Sequence, residues 1–433
     1  MKPLDFGRSD DPAVQAQLDR LSALSVPQGR LGLDTIRALM ERLGNPHRAL
    51  PPVFHVAGTN GKGSTCAFLR AMLEAQRYRV HVTTSPHLVR YNERIRLAGE
   101  LISDAELAAT LNEVLDAGED LGPSFFEVTI AAAFLAFART PADACVVEVG
   151  MGGRFDATNV LEPEALAACG IAALGLDHER FLLAPDDGVP KEPMARIAFE
   201  KAGIAKLGVP LVAMNNGEKP NREIALVAER VGAILVAHNK DWYIGSHSGF
   251  LEDRLGELDL PSPSLVGEHQ MTNAGLAAAM LRAQTRIAVS DDAILKGVRA
   301  ARWPARMQRL GEGPLTALVS AQQVWLDGGH NPSAGAVIAA HFDGPLHLVI
   351  GMIEGKDPRA IIEPLGKRIR TLTVVPVPGH ECHPVEAFGA KARAASNLED
   401  ALLGVSSDDF PILIAGSLYL AGEVLRLNDE LPD

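Results

Sequence analysis

Short apolar runs alternate with longer amphipathic stretches along the first half of the chain, and this alternation restricts the fold more than any other feature. The runs have the length of buried strands, and the stretches between them place apolar residues at helical spacing. This order is typical of βαβ units, whose strands lie parallel in one sheet. We predict strands over residues 53–57, 80–83, 144–149 and 167–176, and helices over residues 14–24, 34–43, 65–77, 104–117 and 126–139.

The alternation changes twice in the second half of the chain. Between residues 241 and 266, short alternating pieces with Gly, Ser and Pro predict a small antiparallel sheet. The segment RWPAR (302–306) interrupts a helical pattern with a proline, so we place a domain boundary there. We predict an α/β fold with a P-loop-type, mostly parallel sheet domain over residues 1–301 and a smaller C-terminal α/β domain over residues 302–433.

Composition excludes several classes of protein. The 433 residues are 47% hydrophobic and 22% charged, which supports buried cores and argues against a disordered chain. A formal net charge of −13 provides no basic surface for nucleic acid. No apolar stretch is long enough to cross a bilayer, and neither a secretory signal nor a Cys-x-x-Cys pair is visible. We expect a cytoplasmic, monomeric protein that binds neither nucleic acid nor membranes.

A glycine-rich segment, GTNGKGST (58–65), lies between the strand predicted at 53–57 and a helix. Such a turn presents backbone N–H groups at a helix N-terminus, where phosphate binds. Lys62 adds a positive charge, and the hydroxyl of Ser64 or Thr65 offers a ligand for Mg²⁺ or a phosphate oxygen. The spacing departs from the usual P-loop pattern because Gly63 separates Lys62 from Ser64, and an ordinary glycine turn is the alternative. The context favours nucleotide binding by Gly58, Thr59, Asn60, Gly61, Lys62, Gly63 and Ser64.

Further motifs occur in order along about three quarters of the chain. They are TSPHLVRYNERIRLAGELIS (84–103), EVGMGGRFDATNV (148–160), DH (177–178) with FEKAGI (199–204), GEHQMTNAGLA (267–277), WPARMQ (303–308), DGGHNP (327–332) and GMIEGKDP (351–358). Together with the glycine-rich loop they resemble the folylpolyglutamate synthase/dihydrofolate synthase family, which is related to the Mur ligases. The resemblance implies an ATP-dependent ligase of folate metabolism that activates a carboxylate as an acyl phosphate and joins it to L-glutamate.

The resemblance also implies two Mg²⁺ ions. Ser85 and Glu148 would hold one ion with ATP oxygens, and Glu148 and His178 would hold the other. Taken singly, these residues are more often a turn serine, a solvated carboxylate and a hydrogen-bonded imidazole. Jointly, at the carboxyl ends of parallel strands beside a phosphate loop, they favour a metal site. Lys201 would be carbamoylated and help hold the second ion, although a helix lysine is usually solvated.

Residues beyond the first domain complete the implied nucleotide site. By resemblance, Asn273 contacts adenine, Arg306 the phosphates and Asp327 the ribose, while His330 helps to orient the γ-phosphate or glutamate. Alternatively, Arg306 is a residue of the linker that forms a salt bridge. ATP would then lie between two domains whose closure assembles the site. The predicted catalytic residues are Lys62, His178, Lys201 and His330.

The pterin site rests on resemblance to the bifunctional bacterial enzymes. Phe126 would stack on the pterin, although packing in the core is an equal alternative for this residue. Asp156 would accept pterin N–H groups, with Arg154 and Ala157 beside it. The substrates implied are dihydropteroate, tetrahydrofolates, L-glutamate and ATP.

Three segments depart from the family pattern. Residues 181–198 and 309–322 are longer than usual, and we expect the first of them to be a surface loop. The segment GHECHP (379–384) offers His380, Cys382 and His383, but one tight cluster without a distant partner falls short of the spacing of a metal site. We predict a loop there and assign it no function.

Two other functions are consistent with parts of the sequence. A Mur-type ligase would add an amino acid to a UDP-linked peptidoglycan precursor, but Gly63 and the SPHL…ERI segment favour the folate branch. A nucleotide-gated switch would leave Glu148, His178 and Lys201 without a task.

Overall fold

The structure is a computed structural model that describes residues 9–24, 32–177, 179–245, 249–319 and 322–432, apart from the side chain of Arg180. The chain forms two compact units. The first comprises Met1–Pro86, Arg90–Ser264 and Gln270–Arg302, and the second comprises His87–Val89, Leu265–His269 and Trp303–Asp433. The first contains a large, mostly parallel sheet, and the second contains a smaller sheet whose strands alternate with helices. The predicted α/β fold class is therefore confirmed.

The bounds of the elements in the described residues are as follows. The helices are α1 (Pro12–Ala23), α2 (Asp34–Arg42), α3 (Lys62–Ala75), α4 (Asp104–Gly118), α5 (Phe125–Arg139), α6 (Glu179–Leu182), α7 (Pro193–Ala202), α8 (Glu218–Val231), α9 (His269–Ala283), α10 (Asp291–Ala300), α11 (Pro332–His341), α12 (Arg359–Leu365), α13 (Leu398–Leu403) and α14 (Leu418–Leu427). The strands are β1 (Val53–Ala57), β2 (Val80–Thr83), β3 (Ile95–Leu97), β4 (Glu100–Leu101), β5 (Ala144–Glu148), β6 (Leu166–Ile171), β7 (Pro210–Ala213), β8 (Ile234–Ala237), β9 (Trp242–Ile244), β10 (Phe250–Asp253), β11 (Gly256–Asp259), β12 (Gln308–Arg309), β13 (Val324–Asp327), β14 (Leu346–Ile350), β15 (Ile369–Val374), β16 (Ala392–Ala394) and β17 (Ile412–Ala415).

The large sheet has the strand order β4-β3-β2-β5-β1-β6-β7-β8. From β2 to β8 all neighbouring strands are parallel, whereas β3 and β4 pair antiparallel at one edge. Every residue of β1 is buried, because helices cover both faces of a central parallel strand and an uninterrupted apolar run is then favoured. The order reverses around β1, and in such sheets ligands bind outside the carboxyl ends of the strands.

Helix α5 shows how the sequence fixes the local structure beside this edge. Ser124 and Glu127 form a capping box, in which the Ser124 hydroxyl accepts from the Glu127 N–H at 3.3 Å and the Glu127 carboxylate accepts from the Ser124 N–H at 2.7 Å. The ten residues from Val128 to Phe137 are all buried. The helix is therefore a central part of the core of the first unit.

The strand predicted over residues 167–176 is shorter in the structure, where β6 ends at Ile171. The chain leaves the sheet because the carbonyl of Ala173 accepts hydrogen bonds from Thr59 and Asn60 in the glycine-rich loop instead of from a neighbouring strand. The expected small antiparallel sheet is present, with the strand order β11-β10-β9.

The sheet of the second unit has the order β12-β13-β17-β14-β15-β16 and is parallel except for β12. Both faces are covered: Val349 of β14 packs in one core cluster, and Leu348 and Ile350 pack in another. Within the described part of the chain, none of the helices combines the length and the apolar character that crossing a membrane requires.

Candidate active site

Four loops that contain predicted site residues leave neighbouring strands of the large sheet. The glycine-rich loop follows β1, Ser85 lies just beyond β2, Glu148 ends β5, and the loop after β6 reaches Asp177. Since β2, β5, β1 and β6 are adjacent and parallel, these loops emerge at one edge of the sheet. His178, a predicted metal ligand, lies outside the described residues.

The conformation of the glycine-rich loop is fixed by hydrogen bonds and by one close contact. The N–H groups of Thr59 and Asn60 donate to the carbonyl of Ala173 at 2.9 and 3.1 Å. Gly61 has a left-handed φ of 82°, and a side chain at this position would collide with Asn273. Only glycine fits here. Because α3 begins at the next residue, the loop ends at a helix N-terminus whose first N–H groups lack intrahelical partners, as an anion site requires.

The side chains that follow the loop fit a nucleotide and its metal ion. Nζ of Lys62 donates to the carbonyl of Thr59 at 3.4 Å, so the ammonium lies over the loop. Ser64 and Thr65 are buried, and within the described residues the Thr65 hydroxyl has no hydrogen-bond partner. Buried polar groups are rarely left unpaired, so this hydroxyl favours a ligand oxygen at the loop.

Ser85 and Glu148 are in direct contact. The backbone N–H of Ser85 donates to Oε2 of Glu148 at 3.1 Å, and Glu148 is 5% exposed. A serine hydroxyl and a carboxylate are hard donors of the kind that Mg²⁺ prefers, so this pair fits an ion that also binds nucleotide oxygens. The described residues contain no ready-made group of three or more His, Cys, Asp or Glu side chains around a metal position.

Lys201 lies inside the protein and not on a solvated helix face, which excludes the surface-lysine alternative. It is 4% exposed, and its Nζ donates to the carbonyl of Gly58, the first residue of the glycine-rich loop, at 2.8 Å. Burial and the nearby charge of Lys62 lower the pKa of Lys201 to about 7, against the opposite effect of nearby carboxylates. Part of the amine is therefore neutral at physiological pH, and the neutral form is the one that reacts with CO₂.

The loop after β5 packs tightly on the end of α7, which contains Lys201. A Cβ at Gly153 would lie 2.8 Å from the carbonyl oxygens of Glu200 and of Lys201, so glycine is required for this approach. The backbone N–H of Arg154 donates to the carbonyl of Glu200 at 2.7 Å. These contacts fix Lys201 relative to the end of β5.

The structure places Arg154, predicted to bind substrate, in ion pairs within the protein. Its Nη2 lies 2.8 Å from Glu200 and 2.8 Å from Asp186, and its guanidinium lies 4.2 Å from the centre of the Phe155 ring. These contacts give Arg154 a structural role, and a substrate contact stays a prediction.

The expectation that residues 181–198 form a surface loop is wrong in part. Residues from Pro193 onward belong to α7, and Leu182 is buried. The side chain of Asp186 is 9% exposed because it pairs with Arg154. The segment is therefore anchored to the core between exposed stretches.

The predicted pterin residues lie beside the loop after β5. Phe126 is half-buried, and its ring packs on the backbone of Gly150, two residues beyond Glu148. Asp156 caps the 3-10 helix Ala157–Val160, where Ala157 is buried, and its carboxylate accepts from the N–H of Met151 at 2.8 Å. Burial raises the pKa of Asp156. Because both of its oxygens already accept hydrogen bonds from this loop, a pterin contact by Asp156 remains a prediction.

His55 in β1 supports the same loop, and its burial predicts a pH dependence of stability. Its Nε2 is 2.8 Å from Oγ1 of Thr158, whose hydroxyl donates to Asp156. Burial lowers the pKa of His55 from 6.5 to about 3. Between these pH values the unfolded chain binds a proton that the folded chain excludes. The free energy of unfolding therefore falls as pH decreases, by about 2 kcal/mol from neutral pH to pH 5.

Unfolding titrations of wild type and of His55→Asn test this dependence. The free energy of unfolding should change less steeply with pH in the variant, and identical slopes would contradict the assignment.

Asp327 and Arg306, the predicted ribose and phosphate contacts, lie in the second unit. Asp327 holds the backbone just beyond its own strand end and beside Arg306. Its carboxylate accepts from the N–H groups of Met307 at 2.8 Å and Gly329 at 2.7 Å, and burial raises its pKa. Ala305 and Met307 both have left-handed φ values, of 54° and 43°, although neither is glycine. Such strain is of the order of 1–3 kcal/mol per residue and concentrates at functional sites. Arg306 therefore lies on a segment whose conformation is held against its local preference.

The remaining predicted positions of the second unit have ordinary contacts. Nδ1 of His330 lies 3.2 Å from the carbonyl of Gly328, next to the start of α11. In the GHECHP segment, His380 stacks on Tyr419 with ring centres 4.1 Å apart, and Nε2 of His383 is 2.6 Å from the carbonyl of Lys356. The described part of the extended segment 309–322 includes the 3-10 helix Thr316–Val319.

Sequence reasoning missed three features around the predicted residues: in the first unit the hydrogen bond from Lys201 to Gly58 and the pairing of Arg154, and in the second unit the left-handed residues beside Arg306. The first two join segments far apart in the chain. The glycines of GMGGR (150–154) were the available signal for the close packing against α7. No residue type in WPARMQ indicates a left-handed conformation, because alanine and methionine rarely adopt it.

The similarity to known proteins extends over nearly the whole chain. A dihydrofolate synthase/folylpolyglutamate synthase of Bacillus subtilis is 32% identical over 436 residues, which cover 91% of this chain and 94% of the relative. This chain belongs to the dihydrofolate synthase/folylpolyglutamate synthase family. The predicted family is confirmed, and the comparisons support it over the Mur-type alternative. No family model matches the sequence.

Solved structures of this family share the fold. The structure described as Escherichia coli FolC in complex with DHPP and ADP has a TM-score of 0.83 at 30% identity and covers 97% of this chain and 98% of its own. A bifunctional folylpolyglutamate synthase/dihydrofolate synthase with Mn, AMPPNP and L-glutamate bound has a TM-score of 0.82 at 29% identity, with coverages of 97% and 99%. Members of the family thus bind a nucleotide, a divalent metal and small-molecule substrates.

Relatives named for a single activity are about equally similar. A folylpolyglutamate synthase of Lacticaseibacillus casei is 31% identical, covering 90% of this chain and 92% of the relative. A dihydrofolate synthetase of Saccharomyces cerevisiae is 30% identical, covering 92% and 98%. Percentage identity alone therefore does not distinguish one activity from two within this family.

Proposed function

We propose that the protein is an ATP- and Mg²⁺-dependent ligase that adds L-glutamate to dihydropteroate and to reduced folates. One observation carries this proposal: in a chain of this family, a glycine-rich loop, the Ser85–Glu148 pair and the buried Lys201 meet at one edge of the parallel sheet. A phosphate site beside hard metal donors suits phosphoryl transfer, in which positioning and charge neutralisation supply most of the rate.

The proposed reaction has two steps. A carboxylate oxygen of the pterin substrate attacks the γ-phosphorus of ATP, ADP leaves, and an acyl phosphate forms. The amine of glutamate then attacks the carbonyl carbon, phosphate leaves with the carboxylate oxygen, and the amine proton passes to phosphate or solvent. The same chemistry serves both substrates, because each presents a carboxylate to the same γ-phosphate.

The residues of the first unit have distinct tasks in this scheme. The backbone N–H groups of the loop and Lys62 hold the triphosphate, and Asn273, which contacts the loop at Gly61, is available to the adenine. Ser85, Glu148, His178 and a carbamate on Lys201 would hold two Mg²⁺ ions, which neutralise charge on the phosphates when bound. In the second unit, Arg306 would contact the phosphates, Asp327 the ribose, and His330 would orient the γ-phosphate or glutamate.

The site of action that we propose is the cytoplasm, and the acting species a monomer. ATP is supplied there, and all four cysteines are free, which suits a reducing compartment. Gel filtration with light scattering of the purified protein should give the mass of one chain, 46.1 kDa; a dimeric mass would contradict the monomer.

Glutamate-dependent ADP formation by the purified protein tests the proposed function. We expect product with ATP, Mg²⁺, glutamate and dihydropteroate, and again with tetrahydrofolate in place of dihydropteroate. Elongation of tetrahydrofolate without dihydrofolate synthesis would restrict the function to one activity. Turnover only with a UDP-linked peptidoglycan precursor would contradict the proposal.

Phe126→Ala should affect the two substrates differently if the half-buried ring supports the pterin of dihydropteroate. We expect KM for dihydropteroate to rise about tenfold to hundredfold more than KM for tetrahydrofolate, as the loss of one apolar contact of ~1.5–3 kcal/mol allows. Steady-state kinetics with both substrates measure the ratio.

Phe125→Ala is the matched control for this prediction. The neighbouring ring packs edge-on against Tyr91 at 5.9 Å, so its loss should lower stability without changing the KM ratio. Equal KM changes for both substrates in Phe126→Ala would instead make Phe126 a packing residue.

A further inference from the structure

A largely buried cluster of four charged side chains lies next to Lys201, and the proposed reaction assigns it no role. The cluster consists of Arg154, Asp186, Arg196 and Glu200. The side chains of Asp186, Arg196 and Glu200 are 9, 7 and 6% exposed, and that of Arg154 is 24% exposed. Within these four described side chains, two guanidinium groups face two carboxylates, so their charges sum to zero.

Both arginines approach the same carboxylate oxygen of Glu200. Arg154 makes a paired contact, from Nη2 to Oε1 at 2.8 Å and from Nε to Oε2 at 3.1 Å. Nη2 of Arg196 lies 3.0 Å from the same Oε1. Two cations on one buried carboxylate need a second anion, because an unbalanced charge inside a protein is strongly unfavourable.

Asp186 provides the second anion. Its Oδ2 lies 2.8 Å from Nη2 of Arg154 and 4.0 Å from Nη2 of Arg196. The segment before α7 holds this carboxylate in place, since the carbonyl of Leu182, four residues earlier, accepts a hydrogen bond from Nε of Arg196 at 3.0 Å. The stretch from Leu182 to Asp186 thus places a negative charge beside the two arginines.

We infer that Asp186 is a positioning residue of the ligase, which acts on Lys201 through Arg154 and Glu200. Glu200 precedes Lys201 in α7, and its carboxylate is tied to Arg154, while Nζ of Lys201 holds the carbonyl of Gly58. Because the negative charge of Asp186 compensates the positive charge of the second guanidinium, the contact between Arg154 and Glu200 stays formed. The pair fixes the end of α7, so that Lys201 reaches the glycine-rich loop. The inference rests on the proposed function.

Asp186→Asn tests the inference, because it removes the charge and keeps the shape. We expect kcat of glutamate-dependent ADP formation to fall about tenfold or more, as for other supporting residues of metal and catalytic sites, with KM for dihydropteroate and glutamate within about threefold. Wild-type protein is assayed first: an inactive wild type refutes the proposed function, whereas an active wild type with an equally active variant refutes only this inference. Raised KM at unchanged kcat would also overturn it.

Asp253→Asn is the matched control for loss of a buried ion pair. Asp253 on β10 is 8% exposed at its side chain and accepts from Nε and Nη2 of Arg282 at 2.8 and 3.0 Å. We expect a comparable decrease in Tm with kcat within about twofold of wild type. An equal loss of kcat in both variants would show general destabilisation and overturn the inference.

The double variant Asp186→Asn/Arg196→Gln separates charge balance from substrate contact. It removes one charge of each sign and leaves the paired contact of Arg154 with Glu200, so kcat should return to within about threefold of wild type. A kcat that stays tenfold low in the folded double variant would overturn the inference, and this arm remains decisive if Asp186→Asn alone does not fold.

Discussion

Lys62→Ala is expected to lower kcat/KM for ATP-dependent ligation by about a hundredfold to a thousandfold, the usual cost of removing one charged donor from a site of developing phosphate charge. The ammonium lies at the start of α3 over the loop, where the triphosphate is proposed to bind. The hydrogen bond from its Nζ to the carbonyl of Thr59 is long, at 3.4 Å, so the free energy of unfolding should change by less than about 0.5 kcal/mol.

Lys296→Ala is a suitable control for this effect. That lysine is 63% exposed at its side chain and pairs with Asp292 on the surface of α10. Both variants should unfold at nearly the same temperature as wild type, and only Lys62→Ala should lose activity. If Lys62→Ala keeps an activity within a few-fold of wild type, the assignment of the glycine-rich loop as a phosphate-binding loop is contradicted.

Lys201→Ala should lower kcat by about a hundredfold, because it removes both the tie to Gly58 and the anion proposed on this side chain. A small added carboxylate should restore part of the activity by replacing the lost anion. Native mass spectrometry in the presence of bicarbonate should detect a carbamate on the wild-type protein and not on the variant.

Lys206→Ala controls for the loss of a partly buried lysine in the same region. Nζ of Lys206 donates to Oδ1 of Asn159 at 2.8 Å and makes no contact with the glycine-rich loop among the described hydrogen bonds. This variant should be less stable but nearly as active as wild type. An unmodified Lys201 in the native spectrum, together with unchanged kinetics of Lys201→Ala, would contradict the carbamate.

The central strands of the large sheet were predictable because they are buried on both faces. Such strands require uninterrupted apolar residues, and the predicted bounds of β1 and β2 agree with the structure. Strands β3 and β4, of three and two residues, are too short to show a periodicity. The apolar run that contains β6 continues beyond Ile171, so the sequence alone does not reveal that the chain leaves the sheet there.

The candidate site was predictable where one segment determines the chemistry. The glycine-rich loop and the acid at the end of β5 are local signals, and the structure places both at the expected edge of the sheet. The burial of Lys201 and the cluster around Glu200 depend on contacts between distant segments, since Arg154 and Glu200 are separated by 46 positions and Gly58 and Lys201 by 143. Such contacts depend on how α7 packs on the loop after β5, which residue types alone do not determine.

Transfer of oxygen from the substrate to phosphate tests the central claim most directly. Dihydropteroate with ¹⁸O in its carboxylate is incubated with ATP, Mg²⁺, L-glutamate and the purified protein, and the phosphate released is analysed by mass spectrometry. Because the carboxylate attacks the γ-phosphorus and the amine later displaces phosphate, the account predicts one ¹⁸O atom in each phosphate for every dihydrofolate formed. Phosphate without ¹⁸O, at the same yield of dihydrofolate, would contradict activation of the carboxylate by ATP at this site.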